Sequence, residues 1–126
     1  MKIIVFKNHL NINMYLYEDV LNAIIEKDEK KTQLLTALFE LFEHPDEIFL
    51  FDYSGNLTQI AYKYIKFYKD CVLFGIVDMM NITEQKVIDF YRFDWEEKVL
   101  DNGKEIYRFD FERRGQLIRE SHKGNK

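Results

Sequence analysis

The sequence predicts an α+β fold: a mostly antiparallel β-meander sheet with an N-terminal strand and a helical hairpin packed on one face. Three observations predict it. Aromatic residues recur at alternate positions in three segments, Phe49, Phe51, Tyr53, then Tyr91, Phe93, Trp95, then Tyr107, Phe109, Phe111, which is the period of strands. Between Val20 and Phe42 apolar residues recur instead at helical spacing. The 126 residues are 47% apolar and 32% charged with one Pro and five Gly, a composition that closes one core and disfavours disorder. Residues 1–126 are therefore expected to form a single domain.

The opening Lys2-Ile3-Ile4-Val5-Phe6 is rich in β-branched residues and reads as a short buried strand followed by a polar Lys7-Asn8-His9 loop. From Glu18 the stripe Val20, Leu21, Ile24, Ile25 marks a helix, and after the charged 28–31 break Leu34, Leu35, Leu38, Leu41 and Phe42 mark a second. Pro45 disfavours helical geometry at His44, so the second helix is expected to end there. Ser54-Gly55-Asn56 and Asp101-Asn102-Gly103 carry turn chemistry, the latter of the kind that accepts positive φ in two-residue hairpins. It is expected to join the second and third aromatic segments. Residues 57–68 fit either period, and the flanking turns favour a strand leading into a buried strand at Cys71–Val77. Asn81-Ile82-Thr83-Glu84 is a helix-capping pattern. The aromatics of the paired segments are expected on one face against the helices, with Arg92, Asp94, Glu96, Arg108, Asp110 and Glu112 on a solvated face.

Most chemistry is excluded by missing patterns. There is no Gly-rich phosphate loop, no nucleophile elbow and no metal-ligand spacing among Cys71, His9, His44 and His122, so no cofactor and no metal are expected. Cys71 cannot pair internally and has no cation beside it in sequence, which suits a buried, inert thiol in a reducing compartment. The only N-terminal apolar run, Ile3–Phe6, is short for a signal peptide, and no stretch approaches the ~20 residues that span a bilayer. A cytoplasmic location without membrane attachment follows as the expectation. The acidic balance, net charge −4, opposes nucleic-acid binding. Arg113, Arg114, Arg119, Lys123 and Lys126 are read as part of a basic, partly frayed tail over 113–126.

Two acidic groups remain as candidate partner-binding residues. Glu40, Glu43, Asp46 and Glu47 cluster about the second helix end and offer a negative patch to a basic protein. Asp52, Asp94 and Asp110 each follow a Phe at the same strand phase and form a row if their strands are neighbours. His44, beside Asp46 and Glu47, is the candidate general acid or base if the chain is a small hydrolase or nuclease using those strand carboxylates. A third option is a homodimeric structural module joined through an unpaired strand.

In size, acidity, expected cytosolic character and α+β organisation, the chain resembles the small immunity proteins that neutralise toxins of bacterial contact-dependent or polymorphic systems, and also phage-encoded inhibitors of host defence. The resemblance implies a non-enzymatic inhibitor that occludes the active site of a cognate toxin; the chain itself is expected to be a monomer or weak homodimer.

Overall fold

A computed structural model describes residues 2–79 and 84–121. The fold is α+β, with a mostly antiparallel sheet carrying its two longer helices on one face. In chain order the elements are β1 Ile3–Lys7, β2 Asn13–Tyr17, α1 Glu18–Lys27, a 3₁₀ segment Glu29–Leu34, α2 Leu35–Glu43, β3 Glu47–Asp52, β4 Ile60–Phe67, β5 Cys71–Asp78, β6 Gln85–Asp94, β7 Lys98–Asp101, β8 Lys104–Tyr107, α3 Arg108–Glu112 and β9 Gln116–Glu120. Seven strands form one sheet in the order β1-β2-β6-β5-β4-β3-β9, and β7 and β8 form a separate hairpin. The β2–β6 pair is parallel and brief, Met14 opposite Gln85 and Tyr15 opposite Lys86. Every other ladder is antiparallel.

Residues 60–67 resolve as a strand, and α2 ends at Glu43 with His44 as its cap. The capping pattern at 81–84 falls mostly outside the described residues. In β2 the inward Met14 and Leu16 alternate with outward Tyr15 and Tyr17; because all four are apolar or aromatic, no polar phase advertised the strand. A bulge at Ile88 in β6, opposite the Ile76–Val77 step, turns Val87 and Phe90 onto the same face.

The two faces bury different cores. On the helix face Phe6, Met14, Leu16, Ile24, Leu38, Leu41, Phe42, Ile48, Tyr64, Leu73, Val77, Val87 and Phe90 pack together. Phe42 lies over Gly75, whose absent side chain makes the approach possible: a Cβ there would stand 2.7 Å from the Phe42 ring and 2.9 Å from Leu41. On the opposite face Phe49, Ile65, Val72, Phe74 and Phe93 form a second core, covered by Trp95 and by Phe109 of α3. The Trp95 indole N–H donates to the Tyr68 carbonyl at 2.8 Å, and its ring meets Phe109 edge-on at 4.7 Å.

Three sequence expectations are overturned here. The Asn102-Gly103 turn is a tight hairpin, with φ of 55° and 79°, but it joins β7 to β8 rather than two aromatic strands. The third aromatic segment leaves the strand at Tyr107 and becomes α3, where Arg108 pairs with Glu112 across one turn at 3.1 Å and Asp110 with Arg113 at 2.7 Å. Those i,i+4 and i,i+3 pairs favour a helix that the two-residue alternation concealed. The alternating aromatics of β3 and β6 therefore line the face away from α1 and α2. Within the basic 113–126 segment the residues through Glu120 belong to the fold: β9 pairs with β3, and Arg113 forms an ion pair beneath α3.

Candidate functional site

Folding does not gather the acidic residues singled out from the sequence. Glu47 is fully buried, and Arg113 grips it with two donors at 2.8 and 2.7 Å. It holds α3 to the sheet and is inaccessible to a partner. Asp46 is half-buried and accepts the Phe67 N–H at 2.8 Å. Glu40 and Glu43 stay exposed on α2, Glu40 accepting the Tyr68 hydroxyl at 2.8 Å.

The proposed row of aspartates does not form. Asp52 and Asp94 end their strands at opposite ends of the sheet, opposite Ile60 and Cys71 respectively, and Asp110 lies on α3. Each has a local role. Asp52 caps the β3–β4 loop, accepting the Ser54 hydroxyl and the Gly55 and Leu57 N–H groups between 2.8 and 3.0 Å. Burial tends to raise its pKa, but those donors outweigh it and hold the carboxyl below its ordinary value. Asp94 pairs with Arg92 at 3.0 Å. No group of three or more His, Cys, Asp or Glu side chains among the described residues could hold a metal ion. His44 is exposed beside Glu43, 3.8 Å away, and Lys66 donates to its carbonyl. Cys71 does have a cationic neighbour, since the Arg92 guanidinium hydrogen-bonds its sulfur.

Two other regions stand out. The first is the outer face of the β1–β2 hairpin, where Ile3 and Val5, each 44% exposed, lie opposite Tyr17 and Tyr15. Tyr17 donates its hydroxyl to Glu84, which together with burial and the Glu84 charge pushes its pKa up to about 12, and Lys86 sits over its ring. Beside this patch β1 is a sheet edge, with β2 its one neighbour among the described residues.

The second is a cleft on the helix face, past the C-terminal end of α2 and roofed by the β1–β2 turn. That turn is tied together by the buried Asn8 side chain, which accepts the Leu10 and Ile12 N–H groups at 2.8 and 3.0 Å and donates to the Tyr64 hydroxyl. His9 is thereby set 5.9 Å from the Tyr64 ring. A wider part of about 520 Å³ is lined by His9, Glu43, His44, Asp46, Lys66 and Arg119, and it adjoins a narrower part of about 260 Å³ among His9, Tyr62, Tyr64, Gln85, Ile118 and Arg119. Burial and then the Arg119 charge lower the pKa of His9.

No family model matches this chain. Neither does any curated protein or solved structure. No helix among the described residues is long and apolar enough to cross a membrane.

Sequence reasoning missed both regions. The hairpin patch depends on β2, and the cleft depends on sheet curvature that brings residues 8–9, 62–64, 85 and 119 together. A signal existed for the first, in Tyr15 and Tyr17 flanking Leu16, but none for the second.

Proposed function

We propose that the chain is a non-enzymatic inhibitor of the immunity type, which binds a basic cognate toxin and covers its active site, docking through the outer face of the β1–β2 hairpin. The carrying observation is the outward set of exposed Ile3 and Val5 with half-buried Tyr15 and Tyr17, beside a strand at the edge of the sheet. Tyrosine and aliphatic side chains together on an outer face are the composition of interface centres, and a strand at the sheet edge offers backbone donors and acceptors to an added strand. Net charge −4 and the exposed Glu40 and Glu43 favour a basic partner and speed its approach. A cytoplasmic location accords with this role.

Affinity capture of the tagged chain in its native host supplies the test. A stoichiometric basic partner is expected, toxic when expressed alone in a heterologous bacterium and harmless when co-expressed. The double variant Val5→Lys/Tyr15→Ala, checked for unchanged circular dichroism, should weaken that complex roughly 30-fold or more, the effect of losing one central anchor. Full retention of the partner by this variant refutes the docking face, and a captured partner without toxicity refutes the immunity reading. Glu40→Gln/Glu43→Gln should chiefly slow association and flatten its salt dependence.

A further inference from the structure

The cleft under the β1–β2 turn carries features that protein docking at the hairpin leaves unexplained. All five arginines of the sequence fall among the described residues, and four are ion-paired: Arg92 with Asp94, Arg108 with Glu112, Arg113 with Glu47 and Asp110, and Arg114 with Asp101. Arg119 has no carboxylate within ion-pair distance among the described residues, although it lines both parts of the cleft. The nearby acids are committed elsewhere, Asp46 to the Phe67 amide and Glu43 to the side of His44. Lys66 adds a second positive charge at the wide end. A guanidinium presents a planar fork that matches an oxyanion, and leaving one unpaired beside a concave wall is unusual when its four counterparts are satisfied.

At the narrow end, two buried polar atoms lack partners: Nδ1 of His9 and Oε1 of Gln85. Each such atom costs about 1–3 kcal/mol if left unmet, and turning the Gln85 amide over only exchanges an unmet acceptor for an unmet donor. Both lie in the lining beside the rings of Tyr62 and Tyr64 and the side chains of Leu10 and Ile118. An unpaired cation at one end and unmet hydrogen-bonding groups at the other, with aromatic and aliphatic walls between, describe a site for one molecule.

We infer that this cleft binds a small ligand carrying an oxyanion, phosphate or carboxylate, held by Arg119 and Lys66, with an N–H donor on the same molecule reaching Gln85 and His9. Two chemical sources fit that description, a nucleoside monophosphate and a free amino acid. The site is separate from the hairpin face, so it stands whether or not the protein-docking reading survives.

The test is calorimetric and NMR titration of the intact chain with adenosine monophosphate and with leucine, using inorganic phosphate and acetate as fragments. At least one of the two whole ligands is expected to bind at roughly 1 mM or tighter, more strongly than its fragment. AMP alone binding assigns the phosphate source, leucine alone the carboxylate source, and both the shared oxyanion chemistry. Arg119→Gln, which breaks no ion pair of the fold, should weaken binding by about tenfold or more, as should Gln85→Leu to a smaller degree. Val5→Lys should leave the titration unchanged. Absence of binding by both whole ligands, or binding indifferent to Arg119→Gln, overturns the site.

Discussion

The two faces of the sheet are closed by different physics. The helix face is sealed by α1 and α2 with side chains that interdigitate, and its tightest point is Phe42 on Gly75. The opposite face is sealed by five residues of α3, too short a helix to be stable on its own, so it needs specific polar ties. Arg113 bridges buried Glu47 and exposed Asp110, and the Lys63 ammonium donates to the Glu112 carbonyl at the end of α3 while lying 4.2 Å from the Phe51 ring. One face tolerates no extra volume, and the other tolerates no lost charge.

The largest effect is therefore expected on the α3 face. Arg113→Met removes the two-pronged cationic partner of the buried Glu47 carboxylate, and losing one member of a buried pair costs about 3–5 kcal/mol. Urea unfolding should register that loss, and Glu47→Leu/Arg113→Met should recover most of it, because the cost lies in a buried charge that Arg113 no longer offsets. A double variant as unstable as the single one would show instead that the ion pair itself is needed to hold α3.

The helix face should give way through volume. Gly75→Ala drives a methyl group against the Phe42 ring and Leu41, an overpacking that costs about 1–3 kcal/mol. Phe42→Leu in the same chain should return part of the loss, whereas no change at Arg113 should. If Gly75→Ala unfolds at the wild-type urea concentration, α2 is not seated as tightly as the distances imply.

What the sequence disclosed follows the same division. The helix face was legible, because a helical stripe at 34–42 ending before Pro45 and a buried run at 72–77 are local patterns whose periods are unambiguous. The α3 face was not. Tyr107 to Glu112 alternates as a strand does, and only its i,i+4 charge pair and its distant contact with Trp95 make it helical. Glu47 read as a surface acid because its partner is 66 positions away. The cleft was equally hidden, being formed where a turn from the N-terminus meets the last strand. Asp52, Asp94 and Asp110 shared a phase in sequence but not a place in space, since phase fixes a face and says nothing of position along it.

The smallest effect compares one tyrosine from each face, Tyr64 buried and Tyr91 half-buried. Burial is the main cause that pushes the pKa of Tyr64, on the helix face, up to about 12. On the α3 face burial, with the charges of Glu112 and Asp89 beside it, raises that of Tyr91 further. In the unfolded chain both ionise near 10. Above pH 10 the folded state thus holds protons that the unfolded state has lost, so this contribution to stability is complete below pH 10 and declines as pH rises through the folded values, by on the order of 1.4 kcal/mol per pH unit for each tyrosine. Lys63 acts in the opposite sense: burial lowers its pKa from 10.5, so stability gains with pH as the folded ammonium gives up its proton ahead of the unfolded one. Urea midpoints measured from pH 8 to 12 should fall above pH 10. Tyr91→Phe should flatten that fall across the whole range, whereas relief from Tyr64→Phe should end near pH 12. Equal flattening by the two variants at every pH would mean that the carboxylates of the α3 face do not act on Tyr91, and the electrical distinction between the faces would rest on Glu47 and Arg113 alone.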